Sequence, residues 1–146
     1  MKIIGFSINK LSIERKNPPK GELNVQNKLD IENISSEDLS ISKDPGLKFD
    51  FCYEISYEPS IAKLEIKGSV ITIDNKNESS EILKEWKDKK IFNHPSKIDI
   101  LNFILNKSNL KAFQLEDEIG LPLHLPMPKI ESKETKKEDQ KAKYTG

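Results

Sequence analysis

Residues 47–57, LKFDFCYEISY, and residues 62–73, AKLEIKGSVITI, decide the fold of this chain. In the first run Leu47, Phe49, Phe51, Tyr53, Ile55 and Tyr57 share one parity, while Lys48, Asp50, Cys52, Glu54 and Ser56 share the other. Side chains alternate across a pleated strand, so this spacing reads as a strand with one dry and one wet face. The second run places Ala62, Leu64 and Ile66 on its inward parity, and beyond Gly68 the apolar parity passes to Ile71 and Ile73. Gly68-Ser69 is therefore the expected site of a bulge or a close backbone approach. Glu58-Pro59-Ser60 joins the two runs into an antiparallel hairpin. Six large side chains on one face, each worth about 1.5–3 kcal/mol when fully buried, require an apolar cover.

Working outward, residues 3–14 read as a strand whose parity slips near Lys10, with Phe6 and Ile8 before the slip and Leu11 and Ile13 after it; a bulge there restores one face. Asn17-Pro18-Pro19-Lys20-Gly21 breaks the chain, and Leu23, Val25, Leu29 and Ile31 alternate as a second strand. Residues 33–46 read as a polar connection ending in Asp44-Pro45-Gly46. Ser79 or Ser80 is the expected cap of a short helix carrying Ile82, Leu83 and Trp86. Ser96 is the expected cap of a longer one, with Asp99 in its first turn and Ile98, Leu101, Ile104 and Leu105 at helical spacing. Ala112, Leu115 and Ile119 resume that spacing up to Gly120 and Pro122, a stop signal. Residues 121–130, LPLHLPMPKI, contain Pro122, Pro126 and Pro128 and read as an extended apolar strap, either finishing the core or bordering a groove. The expected fold class is α+β: a four-stranded antiparallel sheet packed against a long helix, with a short helix and a Pro-rich C-terminal strap. Residues 1–130 form one domain in this reading, and residues 131–146, almost devoid of apolar side chains, form a disordered charged tail.

Composition narrows the function. Lys and Arg number 24 against 24 Asp and Glu, so no net field draws the chain to nucleic acid or an anionic membrane. A single cysteine allows no internal disulfide, and MKIIGF is too short an apolar run for a signal peptide or membrane insertion, so a cytoplasmic protein is expected. His94 and His124 are the only histidines, and neither has a cysteine or a carboxylate cluster at ligand spacing, so no metal is expected. Cys52 falls on the polar parity of its strand with no basic partner, and the isolated glycines build no phosphate-binding loop. Glu116-Asp117-Glu118 reads as a solvated helix end. With no catalytic set and no cofactor called for, the chain is expected to act through its surfaces, not as an enzyme.

The order of these pieces resembles the bacterial export chaperone SecB. The resemblance spans roughly residues 3–130 and is carried by FSINKLSIERKNPP (6–19), NKLDIENIS (27–35), LEIKGSVITI (64–73), and the stretch from Pro95 through the helix into LPLHLPMPKI. It implies an ATP-independent holdase that binds unfolded polypeptides or preproteins in apolar grooves and assembles as a dimer of dimers. It further implies client contacts at Leu11, Ile13, Pro18, Pro19, Leu23, Leu123, Leu125 and Met127, and an oligomer interface along Ile98, Leu101, Ile104 and Leu105. The chain departs from the family after Ile130, where SecB has a second helix and a tail that engages its translocase. An adaptor of the same fold, its groove facing one specific protein partner, stays open beside the holdase.

Overall fold

Strand alternation and helix spacing materialise in the order in which the sequence presents them. In this computed structural model, which describes residues 1–40 and 42–126, four strands precede two helices: β1 (Lys2–Arg15), β2 (Asn24–Glu37), β3 (Gly46–Glu58), β4 (Ala62–Ile73), α1 (Lys76–Lys89) and α2 (Lys97–Glu118). The sheet is antiparallel, in the order β1-β4-β3-β2. This is the expected α+β architecture of a sheet, a long helix and a short one. Of the strap, residues 121–126 follow α2 without regular secondary structure. Residues 127–130, and the tail expected at 131–146, lie outside the described residues.

The β3–β4 hairpin is the dry centre. Leu47, Phe49, Phe51, Tyr53, Ile55 and Tyr57 are all fully buried, and across the pair Phe49 faces Val70, Tyr53 faces Ile66 and Ile55 faces Leu64. Same-face neighbours of this kind are the unit of sheet stabilisation. The inward parity of β4 runs unbroken through Val70 and Thr72, so Ile71 and Ile73 lie on the opposite face, contrary to the expected switch at Gly68. The irregularity belongs to the partner strand. β1 shifts register between Ile8 and Lys10, and that bulge puts Phe6, Ile8, Leu11 and Ile13 on one inner face, as the alternation of β1 predicts. Gly68 instead supplies the close approach: a Cβ there would lie 2.1 Å from the Ser7 carbonyl oxygen and 2.9 Å from the Phe51 ring.

β2 is longer than expected. Its register shifts between Ile31 and Asn33, and the pairing then continues from Asn33 opposite Asp50 to Glu37 opposite Gly46, where a polar connection was expected. The bulge turns Ile34 inward to 4% exposure. Since a bulge inserts one unpaired residue and reverses parity beyond it, the polar composition of 33–37 concealed a strand.

Helix α1 is capped by Asn75, four residues before Ser79, the nearer of the two expected caps. Asn75 accepts a hydrogen bond from the Glu78 amide (2.9 Å), and Ser79 sits inside the helix, buried with Ile82 and Trp86. The Trp86 indole N–H donates to Asn33 Oδ1 (3.2 Å), fastening α1 to the bulged part of β2. Helix α2 runs unbroken through Asn106–Asn109. Ser96 stands at its cap position but makes no side-chain cap bond; its hydroxyl lies 2.7 Å from His94 Nδ1, which also accepts from the Ser96 amide. The helix lies on the sheet through Ile100, Ile104, Ser108, Ala112 and Glu116, one buried residue every fourth position. Phe6 stacks on Phe51 (5.7 Å) and meets Phe103 of α2 edge-on (5.7 Å), while Phe49 packs on Phe92 (5.1 Å). The hydroxyl of Ser108 is buried without a hydrogen-bond partner among the described residues.

Two substitutions test this packing. Gly68→Ala must push β1 away from β4 or displace the Phe51 ring, and is expected to cost about 3 kcal/mol in urea unfolding, the scale of overpacking a tight interior; a loss below about 1 kcal/mol contradicts the close approach. Ser108→Ala removes an unsatisfied buried hydroxyl and is expected to raise stability by about 1 kcal/mol.

Candidate functional site

The inner face of the sheet is wider than α2, so apolar residues toward both edges stay partly open to solvent. Along edge strand β1 the inner residues Phe6, Ile8 and Ile13 are half-buried and Leu11 is 41% exposed. Along the opposite edge, Leu23 and the β2 residues Val25, Leu29 and Ile31 are half-buried. Beside β2 the margin deepens into a groove of about 500 Å³ whose apolar lining is Leu29, Ile31, Trp86, Ile91, Phe92 and Leu101. Ile91 is 46% exposed there.

The strap closes one end of the sheet. Leu121 is buried, the Tyr57 hydroxyl donates to the Pro122 carbonyl, and His124 is inserted between α2 and β3. There the sequence reading of Glu116 fails. The His124 Nδ1 donates to Glu116 at 2.8 Å, both side chains are fully buried, and the His124 amide donates to the same carboxylate (3.1 Å). Glu116 is thus a core residue, not part of a solvated helix end. On the other side of the ring, Nε2 lies 2.8 Å from Asn109 Oδ1, which also accepts from the Tyr53 hydroxyl (2.8 Å), and Phe113 packs on the imidazole at 5.0 Å. Burial pushes the Tyr53 and Tyr57 phenols above their ordinary range, with the Glu116 charge adding to both. A buried, fully engaged ring of this kind fastens the strap; it is not presented to a substrate.

The residues expected to contact clients divide accordingly. Arg15 pairs with Ala62, Val25 pairs with Tyr57, and the Lys16 amide donates to the Ile61 carbonyl (2.7 Å). The end of β1, the Pro18-Pro19 crossover, the start of β2 and the strap therefore share the hairpin-turn end of the sheet. Leu11 and Leu125 are exposed there, Ile13, Pro19, Leu23 and Leu123 are half-buried, and Pro18 is exposed. Met127 lies outside the described residues. Of the stripe expected to pair subunits, Ile98 is 68% exposed and Leu101 and Leu105 are half-buried, but Ile104 is fully buried in the chain's own core. Side-chain period alone does not say which flank of an amphipathic helix meets the sheet. The groove residues Ile91 and Phe92 were missed, although an apolar pair between Lys89-Lys90 and Asn93-His94-Pro95 was their signal.

On the outer face, Cys52 Sγ lies 3.8 Å from Glu54 Oε1 and 3.9 Å from Glu65 Oε2. The three ligand atoms are near enough together for a metal ion, but the chemistry is unfavourable. Burial pushes the thiol up to about 11, with Glu65 and Glu32 adding to the effect. A metal ligand or nucleophile needs the thiolate. The Lys10 ammonium, 2.6 Å from Glu65, holds that carboxyl below its usual range by its hydrogen bond.

Removing one partner of the buried Glu116–His124 pair strands the other, so Glu116→Leu alone is expected to cost about 3 kcal/mol, whereas Glu116→Leu with His124→Phe is expected to recover most of it. Chemical denaturation of the two variants checks this, and equal losses contradict it. Because the Cys52 thiol titrates near 11, its alkylation rate in the folded protein is expected to climb about tenfold per pH unit from pH 7 to 10, with no plateau near pH 8.5.

No family model matches the chain, and no curated protein matches it. Among solved structures, it is similar to the Mycobacterium tuberculosis SecB-like chaperone Rv1957, solved in complex with a ChAD peptide from the Rv1956 HigA1 antitoxin. The TM-score is 0.53, covering 90% of this chain and 91% of that chain, at 9% sequence identity. At that identity the likeness is one of fold: this chain has the four-stranded antiparallel sheet and helical cover of a SecB-like protein.

Proposed function

We propose that the chain is an ATP-independent, SecB-like chaperone, a holdase that binds unfolded polypeptides, export precursors among them, in the apolar margins beside α2, without a catalytic centre or cofactor. The observation that carries this reading is the open groove between β2 and α2, where Leu29, Ile31, Ile91 and Leu101 stay accessible beside a core that is otherwise closed. A row of half-buried aliphatic side chains along an edge strand suits an extended chain, which presents alternate side chains at the same period. Contacts of this kind are shallow and non-directional, so they favour breadth of clients over affinity. That the SecB-like neighbour was solved with a peptide bound supports the same reading.

In this reading copies of the chain assemble into a dimer or tetramer through α2, whose Ile98 and Leu110 are 68% and 66% exposed. A cytoplasmic site of action belongs to the proposal; the structure itself contains, among the described residues, no helix long and apolar enough to cross a membrane.

The purified protein is expected to suppress aggregation of a chemically denatured model client at stoichiometric ratio without nucleotide. Ile91→Asp, at a position already in contact with solvent, is expected to raise the ratio required severalfold while leaving the melting temperature unchanged. Failure of the unaltered protein to suppress aggregation refutes the holdase. Stoichiometric binding of one folded protein, with no action on denatured clients, assigns the groove to an adaptor instead. Light scattering that shows a strict monomer refutes assembly through α2.

A further inference from the structure

The groove beside β2 is apolar along its floor and cationic along its rim. Lys90 and Lys97 both line it and are exposed, and among the described residues neither has a carboxylate within ion-pair distance. The one acidic residue lining it, Asp30, is already met by Lys28 at 3.4 Å. The chain as a whole is charge-balanced, but residues 84–97, KEWKDKKIFNHPSK, hold Lys84, Lys87, Lys89, Lys90 and Lys97 against only Glu85 and Asp88. Two of these lysines, Lys90 and Lys97, line the groove itself.

The backbone at Lys90 adds an independent observation. Lys90 is the C-cap of α1 and has φ of 56° and ψ of 37°, the left-handed conformation that ordinarily selects glycine at this position. The chain instead carries a lysine there, and its ammonium lies 5.6 Å from the centroid of the Trp86 ring, on the groove wall. Lys97 is the first residue of α2 and lines the groove beside Leu101, one turn further along the same helix.

We infer that the β2–α2 groove selects extended segments in which acidic residues alternate with large aliphatic ones: aliphatic side chains seat on Leu29, Ile31 and Leu101 while the intervening carboxylates meet Lys90 and Lys97. This rests on the peptide-binding reading above and names the class of segment that the groove takes. An extended chain carries side chains alternately to its two sides, so one side meets the apolar floor while the other reaches the rim. Ammonium groups on the groove wall attract the carboxylates of a bound segment, and more strongly as that segment displaces water from between them. They also penalise a basic segment.

Three end-blocked eight-residue peptides, alternating Leu with Glu, with Ser or with Lys, are titrated into the full-length protein by calorimetry. The emission of Trp86, the single tryptophan, is followed in parallel. The Leu–Glu peptide is expected to bind at least about tenfold more tightly than the Leu–Lys peptide at low salt, with Leu–Ser between them, and the spread is expected to collapse at about 0.5 M salt. Lys90→Gly, which gives the left-handed position its preferred residue, and Lys97→Glu are each expected to narrow the spread. Lys90→Gly leaves the melting temperature equal or higher. Binding of Leu–Ser with no preference for Leu–Glu overturns the inference and spares the peptide-binding reading. An acidic preference that survives both substitutions places it outside this groove and overturns it as well. Absence of binding by all three peptides overturns both.

Discussion

Everything in this structure follows from a mismatch of widths. Four strands at about 4.8 Å spacing make a face nearly twice as broad as a helix of about 10 Å diameter. All four strands present apolar residues to that face. Helix α2 lies across it over β4 and the edge strand β1, with Asn109 reaching Tyr53 of β3, and the β3–β4 hairpin beneath is closed to almost complete exclusion of water. Helix α1 packs against the opposite edge, β2. The half-buried rows of β1 and β2 are what remains. A chain that needed only to be stable would be expected to fill them with larger loops or polar side chains; this one leaves Leu11, Leu29, Ile31 and Ile91 in contact with solvent.

Holding the strap in place takes a different kind of interaction. Residues 121–126 contain two prolines and cannot be held by a helix or a ladder. Their fixed point is the Glu116–His124 pair, supported by Asn109, Tyr53 and the Tyr57–Pro122 hydrogen bond. A buried ion-and-hydrogen-bond network is a poor source of net stability but a good source of position, because its directional partners cannot be exchanged for apolar neighbours. The strap is thus registered against β3 at one end of the sheet, and the groove stays open beside the middle of β2, where Leu29 and Ile31 pair with Tyr53 and Phe51.

Strand and helix period made most of the architecture legible in advance. The parity of 47–57, the slip near Lys10 and the stop at Gly120 are local signals, and local signals are what a sequence displays. Three features were hidden for identifiable reasons. The second half of β2 is polar because its bulge had already reversed the parity. The switch expected in β4 does not occur, because Val70 and Thr72 continue the inward parity and the apolar Ile71 and Ile73 sit on the outer face, where side-chain type alone misplaces them. Glu116 and His124 are eight positions apart, across a helix terminus and a proline, so their pairing is tertiary and no spacing rule announces it. The candidate site was half legible for a similar reason: the Pro18-Pro19 crossover and the strap declare themselves by composition. The groove needs Leu29 and Leu101, distant in sequence, to be brought to one place by the sheet.

The strand order carries a consequence for how the chain comes together. β3 and β4 close over a short turn, but β1 must find β4 with Lys2 opposite Ile73 and Arg15 opposite Ala62. The crossover after β1 then has to pass the hairpin tip, where the Lys16 amide and the Asn17 side chain bond to Ile61 and Ser60, before β2 docks on the far edge. Loop-closure entropy makes the hairpin the cheapest nucleus and the two outer strands late additions. Until both have docked, a nascent copy of this protein displays the flanks of the β3–β4 hairpin, richer in aromatic and branched side chains than any other stretch of its sequence. Its own unfinished chain is then among the first unfolded polypeptides that a completed copy would meet.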